Sequence, residues 1–294
     1  MHLKKSNFTK ITILLVVSFI TVINCYGKKK TIPSKWQSSA IIVDGDDKDW
    51  SADYPFYDSK SRIAYSVSND TDNLYIVLKT NDDITATKIL NAGLTIALDI
   101  KGGKDETTEI NYPLEKQNLQ SSKIKPGERP DKNSFRKEAI KESSEIVLGG
   151  FKNCNGSFKV LTDNSCGIIV RVGINEYNDL IWEARIPISS FYKQKLDSTD
   201  RETTYSLGIF LNALPKPQMP MGGAPSNMEG GGMPGGGPGG MSGGMGGIMP
   251  KGGTPLGDMG NPPGGATNIP NFQDMEKMFE ATRIWQKFTF SFGK

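Results

Sequence analysis

Residues 62–78 read RIAYSVSNDTDNLYIVL, and this stretch decides the fold. In residues 62–67 apolar side chains alternate with small ones, and a period of two is typical of a half-buried strand. Residues 69–72 are Asn, Asp, Thr and Asp, which favour turns. Residues 74–78 are continuously apolar, as in a central strand with both faces buried. The stretch therefore predicts two successive strands with a turn between them.

Short runs of this kind recur from Ile41 to Leu211 and again near the C-terminus. Strands are predicted at residues 62–67, 74–78, 94–98, 146–151, 158–161, 168–174, 180–186, 205–211 and 284–292. Regularly spaced short strands with few long helical patterns indicate an all-β protein, an antiparallel β-sandwich. Two short helices are expected, one near residues 134–141 inside a long polar excursion and one within residues 271–281.

Residues 215–270 interrupt the strand pattern before the last strand. They hold 20 of the 33 Gly, 11 of the 17 Pro and eight of the 11 Met, and no aromatic residue. Such a composition offers little burial to offset the entropy of ordering the backbone, so we expect a long disordered Gly/Met/Pro-rich insertion. Met241, Met245 and Met249 recur every four residues. Because thioethers are soft ligands, copper(I) binding is an alternative to a spacing or partner-binding role.

The N-terminus has the pattern of an export signal. Three lysines within the first ten residues precede the apolar run Ile11–Ile23, which is too short to span a bilayer comfortably. Cys25, preceded by Val-Ile-Asn, resembles the acylated cysteine of the bacterial lipoprotein lipobox, while ordinary cleavage after Gly27 is the alternative. We therefore expect an exported protein of the cell envelope, held to a membrane by a lipid on Cys25. The predicted organisation is a signal peptide at 1–24, a tether at 25–39, a β-sandwich at 40–214 plus 271–294, and the insertion at 215–270.

Charge and histidine content exclude several function classes. Residues 1–24 contain three of the 35 basic residues and none of the 32 acidic ones, so 32 of each remain after cleavage. A chain with no net charge argues against nucleic acid as a partner. His2 is the only histidine, so a mature protein would have no imidazole for catalysis or zinc binding. We therefore expect a protein that is not an enzyme.

Five short motifs resemble those of family 9 carbohydrate-binding modules and the wider group of DOMON-like sandwiches. They are the opening I-V-D-G followed by Trp50, the strand at 64–67, the acidic turn and strand at 69–83, Leu98-Asp99, and W-E-A-R-I-P at 182–187. The resemblance covers most of residues 40–214 plus the final strand, and it is strongest to exported lipoproteins of the Bacteroidetes type. It implies an antiparallel sandwich that commonly binds glycans, sometimes with calcium, and often beside a catalytic domain that this chain lacks.

Aromatic side chains are the candidates for binding a sugar, because rings stack on the apolar face of a pyranose. The predicted ligand-binding residues are Trp36, Tyr54, Tyr57, Arg62 and Trp182. Trp36 lies in a Ser-rich linker, and Tyr54 and Tyr57 form a cluster after the opening motif that could line a cleft with Arg62. The period of two places Trp182 on the core face of its strand, so core packing is the alternative to a ligand platform there.

Two further sets of side chains suggest cation binding and a cross-link. Asp44, Asp46, Asp47 and Asp49 are hard oxygen ligands at a density that can hold calcium, although the spacing is not that of an EF-hand, and a solvated acidic turn is the alternative. No other cofactor is expected. Cys154 and Cys166 are 12 residues apart and are expected to form a disulfide in an oxidising compartment, with two buried thiols as the alternative.

Together these features predict a non-catalytic exported binding protein, with a glycan as its ligand. The first alternative is a structural or assembly lipoprotein that binds a protein partner through residues 215–270. The second is a periplasmic metal-binding protein that uses the methionines of the same segment.

Overall fold

A computed structural model describes residues 31–51, 54–116, 132–160, 164–216 and 276–293. The strands are β1 (Ile32–Pro33), β2 (Lys35–Trp36), β3 (Phe56–Asp58), β4 (Ile63–Asn69), β5 (Asn73–Thr80), β6 (Leu94–Asp99), β7 (Glu109–Asn111), β8 (Glu145–Gly149), β9 (Gly156–Lys159), β10 (Ile169–Ile174), β11 (Leu180–Pro187), β12 (Tyr205–Leu211) and β13 (Thr282–Thr289). The helices are α1 (Asp83–Ala92), α2 (Lys132–Glu142), α3 (Ile188–Phe191) and a 3-10 helix at Ser198–Glu202. Each predicted strand coincides with one of these strands.

The strands form two sheets, so the predicted β-sandwich is confirmed. The first sheet has the order β1-β13-β12-β6-β7-β8-β9, and the second has the order β10-β11-β5-β4-β2, with β3 also pairing with β4. Most neighbours are antiparallel, but β1 is parallel to β13 and β2 is parallel to β4. The sheets are therefore mixed rather than purely antiparallel. Since β1 and β2 lie within residues 25–39, the described part of the predicted tether belongs to the sandwich.

The main core fills the space between the sheets. Ile63, Tyr65 and Val67 of β4 and the alternate residues Leu74 to Leu78 of β5 point into it, as their period of two predicts. Trp182 of β11 belongs to the same core and is only 1% exposed. Its indole N–H donates to the carbonyl oxygen of Tyr112 at 2.8 Å, so the one polar atom of this buried ring has a partner.

A smaller apolar cluster lies on the outer face of the second sheet. Ile41 and Trp50 come from residues 41–50, which we call the strap, and they pack on Tyr75, Val77 and Ile181. The strap explains why residues 74–78 are apolar on both faces, because β5 is covered on one side by the core and on the other by this segment.

Glu183 of β11 holds the strap in place. Its carboxylate is 0% exposed and accepts the indole N–H of Trp50 and the backbone N–H groups of Gly45 at 2.8 Å and Asp44 at 3.2 Å. The strap also approaches β10 closely, since a Cβ at Gly45 would lie 2.9 Å from the backbone nitrogen of Gly173. The motif D-G and its later tryptophan therefore meet the glutamate of the motif W-E in one buried hydrogen-bonded cluster.

Two helical segments lie where the pattern predicts helices, and α1 lies where it does not. The helix expected near residues 134–141 is α2, and residues 276–278 are helical within the second expected stretch. The helix α1 is not predicted, because Asn81, Asp82 and Asp83 have the composition of a turn. Asp82 instead caps α1, and its side chain accepts the backbone N–H of Thr85 at 2.9 Å.

The chain divides into two units. One unit comprises Met1–Pro215 and Asn271–Lys294 and contains all the elements above. The other is Lys216–Pro270, and except for Lys216 it lies outside the described residues, as do the predicted signal peptide and Cys25. The predictions made for those segments therefore remain predictions. Within the described ranges, no helix combines the length and apolar character needed to cross a membrane.

Candidate functional site

A pocket of about 630 Å³ opens on the outer face of the second sheet. Its volume lies in the range that is usual for small-molecule sites. Four parts of the chain line it, namely the strap with the residues after it, the start of β4, the end of β5 and the hairpin between β10 and β11. The lining residues are Asp46, Asp47, Lys48, Trp50, Ser51, Tyr54, Tyr57, Arg62, Ala64, Lys79, Thr80, Asn81, Asn175, Glu176, Tyr177 and Asp179.

The floor of the pocket is a polar network centred on Lys79. The Lys79 ammonium lies 2.9 Å from a carboxylate oxygen of Asp47 and 3.2 Å from one of Asp179. Asp47 also accepts hydrogen bonds from the Tyr54 hydroxyl at 2.9 Å and the Asn175 amide at 3.0 Å. The ammonium also lies 5.5 Å from the centre of the Tyr54 ring, within cation–π range. One cation thus joins the strap to the hairpin across β5.

The ionisation of this network follows from its contacts. Burial opposes the charge on Asp47, but the hydrogen bonds from Asn175, Lys79 and Tyr54 outweigh it and lower the pKa of Asp47. Burial likewise opposes the charge on Lys79, yet its two carboxylate partners raise the pKa of Lys79. Burial and the bond to Asp47 raise the pKa of the Tyr54 hydroxyl. At neutral pH the floor is therefore an ion-paired cluster with a neutral phenol beside it.

The hairpin between β10 and β11 is shaped by one amide side chain. The side-chain oxygen of Asn175 accepts hydrogen bonds from the backbone N–H groups of Tyr177 at 3.0 Å and Asp179 at 2.9 Å. Asn178 adopts a left-handed backbone with φ of 65°, a conformation that Asn tolerates better than most residues. This turn places Tyr177 at the tip, where it is 74% exposed.

A second exposed ring belongs to the opposite side of the pocket. Tyr57 of β3 is 64% exposed and pairs with Ala64 of β4, which in turn pairs with Lys79 of β5. Cross-strand partners project from the same face of a sheet, so the Tyr57 ring rises from the face that carries Lys79. Ala64 between them is small and leaves room above the floor. Two exposed aromatic rings therefore flank a polar floor.

Arg62 lines the pocket at the edge next to β4. It is a non-glycine residue with φ of 54°, and its guanidinium is ion-paired with Asp82, the cap of α1. Because Asp82 is the N-cap residue of α1, the same side chain caps the helix and binds Arg62. Burial opposes the charge on Asp82, but its bonds with Thr85 and Arg62 lower the pKa of Asp82.

Three of the five predicted ligand-binding residues share this pocket, and two do not. Tyr54, Tyr57 and Arg62 all line it. Trp182 is buried between the sheets and cannot contact a ligand in this structure, which corrects its inclusion. Trp36 is also outside the pocket, because its ring stacks on Phe292 with 6.5 Å between centres.

The sequence reasoning missed the hairpin and the lysine. Asn175, Tyr177 and Asp179 lie in a stretch with the composition of a turn, and Lys79 directly follows the predicted strand at 74–78, so none of them is among the predicted ligand-binding residues. A signal for Tyr177 was present, since a large aromatic residue in the middle of a polar turn has no core to enter. Nothing in the sequence indicates that β11 pairs with β5 and so brings this turn beside Lys79.

Each of the four aspartates that suggested calcium has a partner within the protein. Asp46 and Asp47 each bind a lysine ammonium, while Asp44 and Asp49 accept the backbone N–H groups of residues 46 and 42. Among the described residues, no group of three or more His, Cys, Asp or Glu side chains could hold a metal ion. Calcium binding by the four aspartates stays a prediction, with the acidic turn as its alternative.

The two cysteines outside the signal region are joined in the structure. Cys154 and Cys166 form a disulfide that closes the loop containing β9. Cys154 is buried in the main core, on a different part of the sandwich from the pocket. The disulfide therefore has a structural role in the sandwich and is not part of the pocket.

Comparisons with known proteins add little to this geometry. No family model matches the chain, and no curated protein matches it. Among solved structures it is similar to a carbohydrate binding module family 9 (CBM9) from Caldicellulosiruptor kristjanssonii in complex with glucose. The match has 13% identity and a TM-score of 0.30, and it covers 62% of this chain and 78% of that chain. A likeness of this size carries no argument about the ligand.

Proposed function

We propose that this protein is a non-catalytic binding protein whose ligand is a glycan. The observation that carries the proposal is the pocket in which the exposed rings of Tyr57 and Tyr177 flank a floor of ionic and amide groups. A sugar ring has an apolar C–H face and a rim of hydroxyl groups, so it needs both kinds of surface within one site. Exposing the apolar surface of an aromatic ring to water is unfavourable, and a sugar that stacks on the ring would remove that surface from water.

The floor supplies the hydrogen-bonding groups that a sugar rim requires. Carboxylate oxygens of Asp47 and Asp179 accept hydrogen bonds, and the Asn81 amide can both donate and accept. Arg62 presents several N–H donors in a planar arrangement at the edge of the pocket. Because Lys79 and its partners form a connected network, the carboxylates of Asp47 and Asp179 are held in fixed positions before a ligand arrives, which reduces the entropy lost on binding.

The same network argues against a glycosidase. Such enzymes use two carboxyl groups, one of which must hold a proton to act as the acid. Here Asp47 and Asp179 are bridged by one lysine, and the pKa of Asp47 is lowered. A carboxylate such as Asp47, which its hydrogen bonds keep ionised, is suited to accepting a hydrogen bond from a hydroxyl group rather than to donating a proton.

The proposed location is the cell envelope, with a lipid on Cys25. The support for this is the sequence alone, namely the basic and apolar segments before Cys25. A binding protein without catalytic groups gains from an anchor, because the anchor keeps a captured ligand at the cell surface.

A thermal-shift screen against a panel of oligosaccharides tests the proposal. A ligand that binds only the folded state at 100 times its Kd adds about 2.7 kcal/mol to the free energy of unfolding, which is readily seen. We expect at least one glycan class to raise the melting temperature, and expect Tyr57→Ala or Tyr177→Ala to make the shift smaller because affinity is reduced. Ile42→Ala is a matched control, since Ile42 is 65% exposed and lies outside the lining. A panel without any shift for the folded wild-type chain would overturn the proposal.

A further inference from the structure

Helix α2 contacts the pocket hairpin from outside the pocket. The Arg136 guanidinium donates from Nη1 to the carbonyl oxygen of Asn178 at 3.0 Å. The Asn133 amide donates to the side-chain oxygen of the same Asn178 at 2.8 Å. Asn178 is the neighbour of Tyr177, so both bonds act on the residue beside the exposed ring. Neither Arg136 nor Asn133 lines the pocket.

The second terminal nitrogen of the Arg136 guanidinium also has a partner. It is 8% exposed, and its Nη2 lies 2.8 Å from a carboxylate oxygen of Asp83, the first residue of α1. A planar guanidinium engaged on both sides has little freedom to rotate, and a lysine could not make the two bonds in this geometry. Arg136 therefore fixes the distance between α1 and the hairpin.

The start of α1 serves both sides of the pocket. Asp82 is ion-paired with Arg62 at one edge, and Asp83 is ion-paired with Arg136, which holds the hairpin at the other. Adjacent residues of one helix thus determine where the two walls stand relative to each other.

The hairpin needs this support. Asn178 lies in the left-handed region, which costs an L-residue energy that surrounding contacts must offset. Within the hairpin, Asn178 donates its backbone N–H to the backbone carbonyl oxygen of Asn175 at 3.0 Å, while the backbone and side-chain oxygens of Asn178 accept their hydrogen bonds from α2. Without α2, the tip that carries Tyr177 would lose the partners of both oxygens.

We propose that Arg136 is a positioning residue for ligand binding, which acts by holding the Tyr177 side of the pocket in its binding position. The effect on affinity rests on the glycan-binding function proposed above, whereas the effect on the hairpin does not. A ligand that stacks on Tyr177 would then bind most tightly when Arg136 joins Asp83 to Asn178.

Hydrogen exchange and a double-mutant cycle on the full chain test this proposal. In Arg136→Met, loss of a charged hydrogen bond should raise the exchange of residues 175–179 about tenfold, with the strands of the main core unchanged. For the oligosaccharide found in the panel, Kd should rise about tenfold in the wild-type background and stay unchanged in a Tyr177→Ala background. Asn133→Ala removes only the amide bond and should give a smaller increase in exchange.

The outcomes separate the two proposals. If no glycan binds, the exchange of residues 175–179 still decides whether Arg136 holds the hairpin. Unchanged exchange in Arg136→Met would overturn the positioning role, and so would an equal loss of affinity with and without the Tyr177 ring. If Arg136→Met fails to fold, Arg136→Lys keeps the charge while losing one contact, and the same two comparisons apply to it.

Discussion

The buried carboxylate of Glu183 should make the stability of this protein depend on pH near neutrality. Its three hydrogen bonds come from Asp44, Gly45 and Trp50, all in the strap, and it has no exposed surface. Burial raises the pKa of Glu183 from its ordinary 4.5 to about 7, although the bonds from Gly45 and Trp50 favour the charged form. The substitution that isolates this effect is Glu183→Gln, which has the same shape and cannot ionise.

The sign follows from which state holds the proton. Between pH 4.5 and about 7 the folded chain keeps a proton on Glu183 that the unfolded chain has released. The free energy of unfolding therefore falls as pH rises through this window. The contribution is fully present below pH 4.5 and lost above about pH 7, and a pKa change of this size corresponds to about 3 kcal/mol. Asp47 and Asp82 act in the opposite direction at lower pH, because the pKa of each is lowered.

Urea unfolding at several pH values, followed by tryptophan fluorescence, measures this contribution. Subtracting the curve of Glu183→Gln from that of the wild type cancels the aspartates that both chains share. The difference should fall by about 3 kcal/mol between pH 4.5 and pH 8. Glu176→Gln is the control for loss of a carboxylate, since Glu176 is exposed on the hairpin. A difference that stays flat or grows with pH would refute the buried ionisation.

Four further substitutions test other parts of the structure. Gly173→Ala places a Cβ against the carbonyl oxygen of Gly45 and should destabilise the chain by about 1–3 kcal/mol in urea unfolding; a change below about 0.5 kcal/mol would contradict the close approach. Trp36→Ala should lower stability by about 1–3 kcal/mol and leave glycan affinity unchanged, because the ring packs on the C-terminal segment; lost binding with full stability would contradict its placement. Lys79→Met should cost about 1–2 kcal/mol at pH 7 and less well below pH 3.8, where Asp47, whose pKa is lowered, takes up a proton; an equal cost at both values would contradict the ion-paired floor. Cys25→Ser should abolish the incorporation of labelled palmitate into the protein expressed in a bacterium, and labelling that persists would refute acylation of Cys25.

The two sheets could be predicted because strands longer than about five residues carry their own periodic signal. In β4, apolar and small residues alternate, which predicts a strand with one face in the core. In β5, the residues are continuously apolar, which predicts a strand covered on both faces. The two-residue strands β1 and β2 have no such signal. Their conformation is imposed by pairing with β13 and β4, which the local sequence does not indicate. For this reason the Ser-rich sequence around Trp36 predicts a linker, although Trp36 belongs to β2.

The strap and α1 show a different limit. The contact of Trp50 with Glu183 joins residues 133 positions apart, and a sequence pattern contains no information about such a separation. For α1, the side chain of Asp82 can cap a helix or favour a turn with the same composition around it. Tertiary packing decides between them, because α1 buries most of its residues against the sandwich.

Separation along the chain also explains why only part of the pocket could be predicted. Tyr54, Tyr57 and Arg62 lie within nine residues of one another, and so a common location could be inferred from their proximity in the chain. Tyr177 and Lys79 are nearly one hundred residues apart, and they line the same pocket because β11 pairs with β5.

Titration of the protein with an oligosaccharide while the tyrosine ring signals are followed by nuclear magnetic resonance tests glycan binding at this pocket most directly. The rings of Tyr57 and Tyr177 should show the largest and saturable shifts, with Tyr54 affected through the floor. The signals of Tyr192 and Tyr205, which pack on each other outside the pocket lining, should stay unchanged. Shifts confined to tyrosines outside the pocket, or no shift with any glycan class, would contradict the proposed function.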